Sequence, residues 1–357
     1  MRLGLNLGYW GAGNDADTLE LAREADRLGF AVVWVAEAYG SDAPTVLAWV
    51  AAQTSRVDVG SAIMQIPART PAMTAMTAAT LDTLSQGRFR LGLGVSGPQV
   101  SEGWHGVRFD APLGRTREYV DVVRLALSRQ PVDYQGRHHV LPLPGGPGKA
   151  LRLSVVPVRE RIPVYLASLG PKNLELTGEV ADGWLGLFVS AEHVGESLDR
   201  LRAGRAVAGL DGLDGFDVCA TSPLVVTPDG GEAATVAAAA EPVRGYAALY
   251  LGGMGSREKN FYNALARRMG FEEAAERVQE AYLDRRPRDA AAAVPTGFLD
   301  ATSLLGPPAR VAERMAALAD AGVTTLNVVP FAADLAGRVA MLRSAVEALD
   351  ASGRRTA

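Results

Sequence analysis

The segment from Arg88 to Gly106 carries the residues of this sequence that are best placed to do chemistry. An apolar run over 88–95 predicts a buried strand, and glycines, polar side chains and the pair Trp104-His105 follow it. Ligands of α/β proteins bind at the carboxyl ends of strands, where such a turn exposes backbone amides. A histidine in that place can move protons or hydrogen-bond a cofactor, or it can cap the local backbone. We therefore treat His105 as a candidate catalytic residue.

The same segment contains the spacing Gly92-x-Gly94-x-x-Gly97, which matches the fingerprint of dinucleotide-binding loops. In that fingerprint the glycines form the turn, and a helix opens immediately after them. Here Gly92 and Gly94 lie within the predicted strand. Pro98 follows the last glycine, and we expect no amphipathic helix before about Pro112. The pattern argues against a Rossmann fold.

A second candidate site, over residues 166–173, follows the fifth predicted strand. The strand ends before Gly170, and Pro171 suits the first position of a helix, where its missing N–H costs nothing. The amides of Lys172 and Asn173 would then point out of the helix, with the positive end of the helix dipole behind them. Lys172 adds a full charge, so we expect a phosphate group to bind here. The alternative is a plain strand-to-helix turn, since barrel phosphate sites usually follow strands seven and eight.

Other polar and aromatic residues also follow predicted strands. Glu37 ends strand two, where its carboxyl group can exchange a proton, hold a cofactor ring or form a structural ion pair. Tyr9 and Trp10 follow strand one and can stack on a planar ligand or pack the mouth of a barrel. His138 and His139, adjacent in a predicted strand, face opposite sides and cannot share a metal. We predict no metal site, and the lack of Gly-x-Ser-x-Gly disfavours a serine hydrolase.

Strand and helix patterns alternate along most of the chain. Eight strands are predicted, at 2–7, 31–35, 57–63, 88–95, 163–167, 183–188, 217–226 and 325–329. Strands such as the second are continuously apolar, as parallel strands buried on both faces should be. The pattern predicts an α/β fold, a closed (β/α)8 TIM barrel with insertions.

We expect one domain over residues 1–352, with two insertions, and a disordered tail at 353–357. The first insertion, at about 130–161, contains a predicted β-hairpin that turns near Gly136. The second, at about 232–321, is rich in helix. It either covers the active site or decorates the surface as a subunit contact.

Composition excludes several classes of function. The 357 residues are 48% hydrophobic, and a net charge of −4 offers no basic surface for nucleic acid or membranes. No apolar run reaches the ~18 residues of a membrane span. The single cysteine, Cys219, excludes an intramolecular disulfide framework and a thiolate zinc site. The first residues lead into a strand rather than a signal peptide, so we expect a cytoplasmic protein.

Four motifs together resemble the bacterial luciferase-like superfamily of flavin and deazaflavin barrels. They are residues 60–71, Ser96-Gly97-Pro98-Gln99, Ala181-Asp182-Gly183-Trp184 and residues 251–263. They are most similar to the branch of coenzyme F420-dependent oxidoreductases. The resemblance implies a TIM barrel with insertions, a homodimer, and a non-proline cis peptide at Ala62-Ile63 behind the ring system of the cofactor. A bulge there would favour the bent, reduced ring.

The resemblance also implies which residues hold the cofactor. Around the ring these are Glu37, Ala62, Ile63, Gln65, Ser96, Gly97 and Ser101, and the phosphate loop comprises Ser168, Leu169, Gly170, Pro171, Lys172 and Asn173. Two positions depart from the sugar-phosphate dehydrogenases of this branch. Ala38 stands where those enzymes have a catalytic histidine, and Pro98 stands where they have an acid. Alcohol oxidation is therefore poorly supported.

The resemblance and its departures together predict a reductase. Hydride from C5 of reduced coenzyme F420 would go to an activated C=C or C=N bond of a small molecule, and Glu37, Tyr9 or His105 would supply the proton. The residues expected to contact the substrate are Trp10, Tyr39, Trp104, Phe188 and Met254. One alternative is an FMN-dependent luciferase-like monooxygenase. Another is a non-catalytic flavin-binding accessory subunit.

Overall fold

The strands predicted from the sequence close into one parallel barrel. The computed structural model describes residues 1–10, 15–228 and 232–356. Its strands are β1 (Arg2–Asn6), β2 (Val32–Val35), β3 (Asp58–Ser61), β4 (Met64–Gln65), β5 (Phe89–Gly94), β6 (Tyr134–Gln135), β7 (Val140–Leu141), β8 (Val164–Ala167), β9 (Gly183–Leu187), β10 (Asp217–Val226), β11 (Leu304–Gly306) and β12 (Thr325–Pro330). The barrel order is β1-β2-β3-β5-β8-β9-β10-β12, and β12 pairs with β1. The predicted (β/α)8 TIM barrel is confirmed.

Helices surround the barrel. They are α1 (Asp15–Leu28), α2 (Ala43–Ala52), α3 (Pro71–Leu84), α4 (Pro98–Gly103), α5 (Pro112–Leu127), α6 (Pro171–Val180), α7 (Val194–Val207), α8 (Glu232–Ala248), α9 (Phe261–Arg268), α10 (Glu272–Leu283), α11 (Pro287–Ala293), α12 (Thr296–Thr302), α13 (Pro308–Asp320) and α14 (Leu335–Ala351), with a π-helix at Leu249–Gly253. In the described ranges, no helix has the length and hydropathy needed to cross a membrane.

The helix α4, of six residues, precedes the amphipathic helix that the sequence predicts from about Pro112. It starts at Pro98, directly after Gly97, which is its N-cap residue. Proline suits the first helical position because its fixed φ is already helical and its missing N–H would have no partner there. The short helix turns the chain so that the segment containing His105 lies above the end of β5.

The glycines of β5 serve close packing between strands. A Cβ on Gly92 would lie 1.8 Å from the carbonyl oxygen of Ser61, and one on Gly94 would lie 3.0 Å from the side chain of Ile63. The Ser61 hydroxyl also donates to the carbonyl of Gly92 at 2.8 Å. The pattern Gly92-x-Gly94-x-x-Gly97 is therefore an interior feature of the barrel and not a nucleotide loop.

Two insertions interrupt the alternation of strands and helices. The first contains the predicted hairpin, in which β6 pairs antiparallel with β7. Glu118 of α5 holds the hairpin, since it accepts hydrogen bonds from the amides of His138 and His139 at 2.7 and 2.9 Å. The second contains α8 to α12 and β11, which pairs with the carboxyl half of β10. A separate apolar cluster, which includes Phe188 and Phe298, joins these helices to the barrel.

The chain beyond α14 differs from the disordered tail expected from the sequence. The amide of Thr356 donates to the carbonyl of Met1 at 3.1 Å. Arg354 pairs with Asp320 at 2.7 Å. The expectation is therefore wrong for residues 353–356, and Ala357 lies outside the described residues.

The amino ends of the barrel strands enclose a buried ion network. Its centre is Asp217, the first residue of β10, which accepts hydrogen bonds from Tyr165 at 3.0 Å and Thr324 at 2.6 Å. Arg2 and Arg90 pair with the same carboxylate at 3.0 and 3.1 Å. Burial alone would raise the pKa of Asp217, but the two guanidinium groups and the hydroxyl donors hold it below its usual value.

Candidate active site

The carboxyl ends of the parallel strands meet at one rim of the barrel, opposite the Asp217 network. The residues that follow or end these strands there are Tyr9 after β1, Glu37 after β2, Gln65 in β4, Ser96 after β5, Ser168 after β8, Phe188 after β9 and Phe331 after β12. Sites of barrel proteins lie on this face because its loops carry the variable residues. The topology thus brings most of the predicted site residues around one opening.

Glu37 is the most heavily bonded side chain of the rim. Its carboxylate accepts hydrogen bonds from the amides of Ala43 at 3.1 Å and Gln65 at 2.9 Å. Arg69 binds both carboxylate oxygens, with Nη2 at 3.0 Å from Oε2. Arg69 also pairs with Asp42 at 2.6 Å. These bonds hold the carboxylate of Glu37 in one arrangement, which gives it a positioning role; that Glu37 also supplies a proton stays a prediction.

Gln65 links the ends of three strands through its amide group. Its Nε2 donates to the Ser96 hydroxyl at 2.8 Å, and its Oε1 lies 2.9 Å from Nε2 of His105. Since an amide oxygen can only accept, the Nε2 atom of His105 carries the hydrogen. The backbone N–H of Gln65 meanwhile donates to Glu37. His105 is thus oriented by Gln65, which belongs to the same network as Glu37.

The peptide bond Ala62-Ile63 is cis, as the resemblance implied. It lies between β3 and β4, at the rim beside Gly94. Both residues are half-buried, so one face of this turn remains accessible at the mouth.

Ser101 does not face the opening. Its side chain is buried, and its hydroxyl donates to the carbonyl of Val107 at 2.8 Å. The amide of Val107 donates back to the Ser101 carbonyl at 2.9 Å. These bonds close the loop after α4, and the contact of Ser101 with the cofactor ring stays a prediction.

Ser168 is likewise engaged within the protein. Its hydroxyl lies 2.8 Å from that of Thr177, which itself donates to the carbonyl of Asn173 at 2.7 Å. Because Thr177 has one hydroxyl hydrogen, Ser168 is the donor to Thr177 and retains no hydrogen for a phosphate. Its predicted contact with the anion is replaced by a bond that ties β8 to α6.

The start of α6 offers one free amide. Gly170 caps the helix and Pro171 occupies its first position, as predicted. The N–H of Asn173 donates to the carbonyl of Gly170 at 3.0 Å, so it is engaged within the turn, and its contact with an anion stays a prediction. Within the described residues, the N–H of Lys172 has no acceptor. A Cβ built on Gly170 would meet no atom within 4 Å, so the space before this turn is open.

A second cation reaches this turn from the helical insertion. Arg268, the last residue of α9, donates from Nη2 to the carbonyl of Leu169 at 3.0 Å. Its guanidinium group thus joins Lys172 at the start of α6. No local pattern could reveal this residue, because it lies 99 positions from Leu169 in the sequence.

The residues expected to contact the substrate fall into two groups. Tyr39 and Trp104 are exposed, at 60% and 67%, and Met254 is half-buried after the π-helix. Trp10 packs edge-on against Trp49, with ring centroids 5.2 Å apart. Phe188 forms the second group.

Phe188 is only 2% exposed, and its contact with a substrate stays a prediction. Rings from the helical insertion surround it; those of Tyr246, Tyr250, Tyr262 and Phe298 have centroids 5.4 to 6.1 Å away. It therefore anchors the insertion to the end of β9.

Three tyrosines lie at the same side of the mouth. The rings of Tyr246 and Tyr250 pack with centroids 4.9 Å apart, and Tyr9 is 36% exposed. Burial raises the pKa of each of the three, so all are protonated at neutral pH. Sequence reasoning identified Tyr9 but missed Tyr246 and Tyr250. The spacing of Tyr246 and Tyr250, four residues apart on one helical face, was the available signal.

The comparisons with known proteins agree with this architecture. A sequence model described as luciferase-like monooxygenase matches residues 8–325. A Mycobacterium tuberculosis protein named as a coenzyme F420-dependent oxidoreductase is 44% identical over 334 residues, which cover 92% of this chain and 94% of the relative.

Two solved structures share the fold. The coenzyme F420-dependent tetrahydromethanopterin reductase from Methanopyrus kandleri superposes with a TM-score of 0.78 at 24% identity, with 96% of each chain covered. An F420-dependent secondary alcohol dehydrogenase in complex with an F420-acetone adduct gives a TM-score of 0.75 at 19% identity, with 98% of each chain covered. Because the family model spans most of the sequence, this chain belongs to the luciferase-like monooxygenase family.

Proposed function

We propose that this protein is a reductase that uses reduced coenzyme F420 to reduce an activated C=C or C=N bond of a small molecule. The observation that carries the choice of cofactor is the 44% identity with the M. tuberculosis protein over nearly the whole chain. When bound, the reduced deazaflavin supplies the hydride. The residues of the chain position the reactants and provide the proton.

The start of α6 fits the anionic part of such a cofactor. Among the described residues the N–H of Lys172 has no acceptor, the guanidinium group of Arg268 reaches the carbonyl of Leu169, and the space before Gly170 is open. The exposed side chain of Lys172 adds a second positive charge to the same turn. A helix N-terminus with two adjacent cations favours a phosphate group. Gln65 belongs to β4 and His105 follows β5, the neighbour of β8 in the barrel, so both lie within two strands of this turn. Both would contact the edge of the ring system, since they present hydrogen-bonding groups there.

The state of the rim groups favours reduction over alcohol oxidation. Oxidation of an alcohol needs a base to take the hydroxyl proton. Glu37 is bound by Arg69 and two amides, and Nε2 of His105 carries a hydrogen bonded to Gln65. Burial raises the pKa of Tyr9, so its phenol is protonated and can donate. The carboxylate of Glu37 and Nε2 of His105 are both engaged within the protein and offer no open acceptor for a hydroxyl proton.

Titration of the purified protein with each cofactor tests this proposal. We expect coenzyme F420 to bind, with a change in its fluorescence, and FMN to bind much more weakly. Anaerobic mixing of the complex containing reduced F420 with enones and cyclic imines should then oxidise the cofactor. Tight FMN binding with oxygen consumption, and no affinity for F420, would establish the FMN-dependent monooxygenase instead. The description of the matching family model is what favours that second candidate.

We also propose that the protein is a homodimer. Large apolar side chains are exposed on the adjacent helices α2 and α3; they are Trp49, Met73, Met76 and Leu84. Such a patch is typical of a protein contact. Met76→Glu should convert a dimer to a monomer in light scattering, whereas Leu210→Glu, at an exposed site after α7, should leave the mass unchanged. A wild-type monomer would overturn the proposal.

A further inference from the structure

Two side chains inside the barrel, below its mouth, keep polar hydrogens that no acceptor in the described residues takes up; they are Asn6 and Thr221. We infer that both donate to the carbonyl oxygen of an α,β-unsaturated carbonyl substrate and stabilise the charge that this oxygen acquires during reduction. The inference rests on the proposed function and narrows its substrate class from C=C or C=N bonds to C=C bonds conjugated with a carbonyl group. The sequence predicted neither residue as part of the site.

A buried hydrogen-bonded pair in the barrel interior fixes the direction in which Thr221 bonds. The ring of Trp34 lies 5.3 Å from that of Tyr165, three strands away, so both rings fill the interior. Nε1 of Trp34 donates to Oδ1 of Asn327 at 2.9 Å. Because an indole N–H can only donate, the amide oxygen of Asn327 faces Trp34, and its Nδ2 donates to Thr221 at 3.4 Å. Thr221 therefore accepts this bond, and within the described ranges its own hydrogen has no acceptor.

Asn6 adds the two hydrogens of its amide group. A Cβ on Gly4 would lie 2.1 Å from Oδ1 of Asn327, so Gly4 faces the interior, and Asn6 follows two residues later on the same side of β1. Oδ1 of Asn6 accepts from the amide of Gly8 at 2.8 Å. Both hydrogens of Nδ2 are thus left without an acceptor in the part of the chain that the structure describes. Asn6 is half-buried and Thr221 is 6% exposed, so neither is sealed from the mouth.

The barrel order places these donors across from the proposed cofactor ring. In either direction around the barrel, β1 is four strands from β8, which leads to the start of α6, and β10 is four strands from β3, which leads to the cis peptide Ala62-Ile63. Gln65 and His105, the proposed contacts of the ring edge, belong to β4 and to the segment after β5, between β3 and β8. A molecule that lies between the ring and the opposite wall therefore meets Asn6 and Thr221. These donors are available to the substrate rather than to the cofactor.

Side chains that offer only hydrogens select a group that accepts them. A carbonyl oxygen has two lone pairs and can accept from both residues. A protonated C=N bond has no lone pair, and its N–H would point at the hydrogens of Asn6 and Thr221. A buried donor without a partner also costs free energy, which an oxygen of the substrate recovers when it accepts the bond. The site therefore favours a carbonyl compound over an iminium ion.

The chemical step balances with these groups. Hydride adds to the β-carbon, the C=C π bond breaks, and its electron pair moves through the conjugated system to the carbonyl oxygen. Asn6 and Thr221 stabilise the enolate oxygen that forms and keep their own hydrogens. The enolate then takes one proton from the rim acid of the proposed function. The substrate gains a hydride and a proton, which contain the two electrons that the deazaflavin loses.

The test uses the protein loaded with oxidised F420, which cannot give hydride, and 2-cyclohexen-1-one as the probe. Infrared difference spectra with the carbonyl carbon isotopically labelled should show the C=O stretch shifted to lower frequency on binding. Thr221→Val should reduce the shift, and Thr221→Ser should retain it. Asn6→Asp keeps an acceptor for the amide of Gly8 but removes the two hydrogens, so it should reduce the shift as well. Thr324→Val is the matched control, because it removes a hydroxyl at the amino end of the barrel, where Thr324 binds Asp217.

Single-turnover reduction provides the second readout. With reduced F420, Thr221→Val and Asn6→Asp should each slow reduction of the enone by about 10²-fold, as loss of a donor to a forming oxyanion does. Thr221→Ser should restore most of the rate, since it returns the hydroxyl group. The dissociation constant for F420 should be unchanged in every variant, which separates this role from cofactor binding and from a general loss of structure.

The outcomes distinguish the two proposals. If the wild-type protein does not bind F420, the proposed function fails and this inference fails with it. If it binds F420 and reduces the enone while Thr221→Val and Asn6→Asp keep both the shift and the rate, only the role of these donors is refuted. If it reduces 1-pyrroline and not the enone, the reductase stands and the carbonyl substrate class is overturned. A wild-type complex with F420 that leaves the C=O stretch of the enone unshifted overturns the inference as well.

Discussion

Arg69 binds both carboxylate oxygens of Glu37 across 32 positions of sequence, with Nη2 3.0 Å from Oε2. Both side chains are largely buried, at 14% and 6% exposure. A buried pair of this kind holds its partners in one arrangement, and removal of one charge leaves the other without compensation. The pair thus fixes the loop after β2 and, through the amide of Gln65, the end of β4.

Replacement of Glu37 should therefore lower the stability of the fold. Glu37→Gln should lower the free energy of unfolding by about 3 kcal/mol, because Arg69 stays buried without its main counter-charge. Urea denaturation followed by circular dichroism measures this. The control is Asp42→Asn, which removes the half-exposed partner of the same guanidinium group and should cost under about 1 kcal/mol. Equal losses in the two variants would contradict the positioning role.

Charge reversal at the start of α6 should weaken cofactor binding. Lys172→Glu and Arg268→Glu should each raise the dissociation constant for F420 by about tenfold, which corresponds to ~1.4 kcal/mol. Fluorescence titration at low and high salt measures the effect, which should shrink as salt screens the charges. Lys149→Glu, an exposed lysine in the first insertion, is the control and should bind normally. Unchanged F420 binding in both variants would refute the proposed anion site at the start of α6.

Acid should destabilise the amino end of the barrel through Asp217. Because Arg2 and Arg90 hold its pKa below the unfolded value of 3.8, its contribution is complete above that value. It is lost as pH falls through the lower folded pKa. The free energy of unfolding should therefore decrease in the wild type as the pH falls below 3.8.

Two variants isolate this contribution. Asp217→Asn should be about 3 kcal/mol less stable at neutral pH and should show a shallower loss on acidification. Thr324→Val removes the hydroxyl that donates to Asp217 at 2.6 Å. Its free energy of unfolding should lie between those of the wild type and Asp217→Asn. If the free energy of unfolding of Asp217→Asn falls with pH in parallel with that of the wild type, other carboxylates cause the acid destabilisation.

Gly92 should not tolerate a side chain. In Gly92→Ala the Cβ would meet the backbone oxygen of Ser61 at 1.8 Å, which a rotamer change cannot relieve. We expect a loss of about 3 kcal/mol or failure to fold. Gly195→Ala is the matched control, since its Cβ would lie in open space on α7 and should stabilise that helix by about 0.5–1 kcal/mol. Thermal denaturation separates the two results.

The sequence by itself determined the barrel and the places where its strands end. Continuous apolar runs are typical of strands buried on both faces. A pair such as Gly170-Pro171 indicates the start of a helix through the backbone preferences of these two residues. These signals depend on neighbouring residues, so they can be interpreted without tertiary contacts. The cis peptide at Ala62-Ile63 and the use of coenzyme F420 were predicted instead from the resemblance of whole motifs to a known family.

Only the tertiary structure decided which rim side chains remain free. The carboxylate of Glu37 is bound by Arg69, the hydroxyl of Ser168 donates to Thr177, and Arg268 of the distant insertion donates to the carbonyl of Leu169. A polar group at a strand end binds whichever donors barrel closure brings within about 3 Å. That choice depends on strands and insertions far apart in sequence, and no local pattern encodes it.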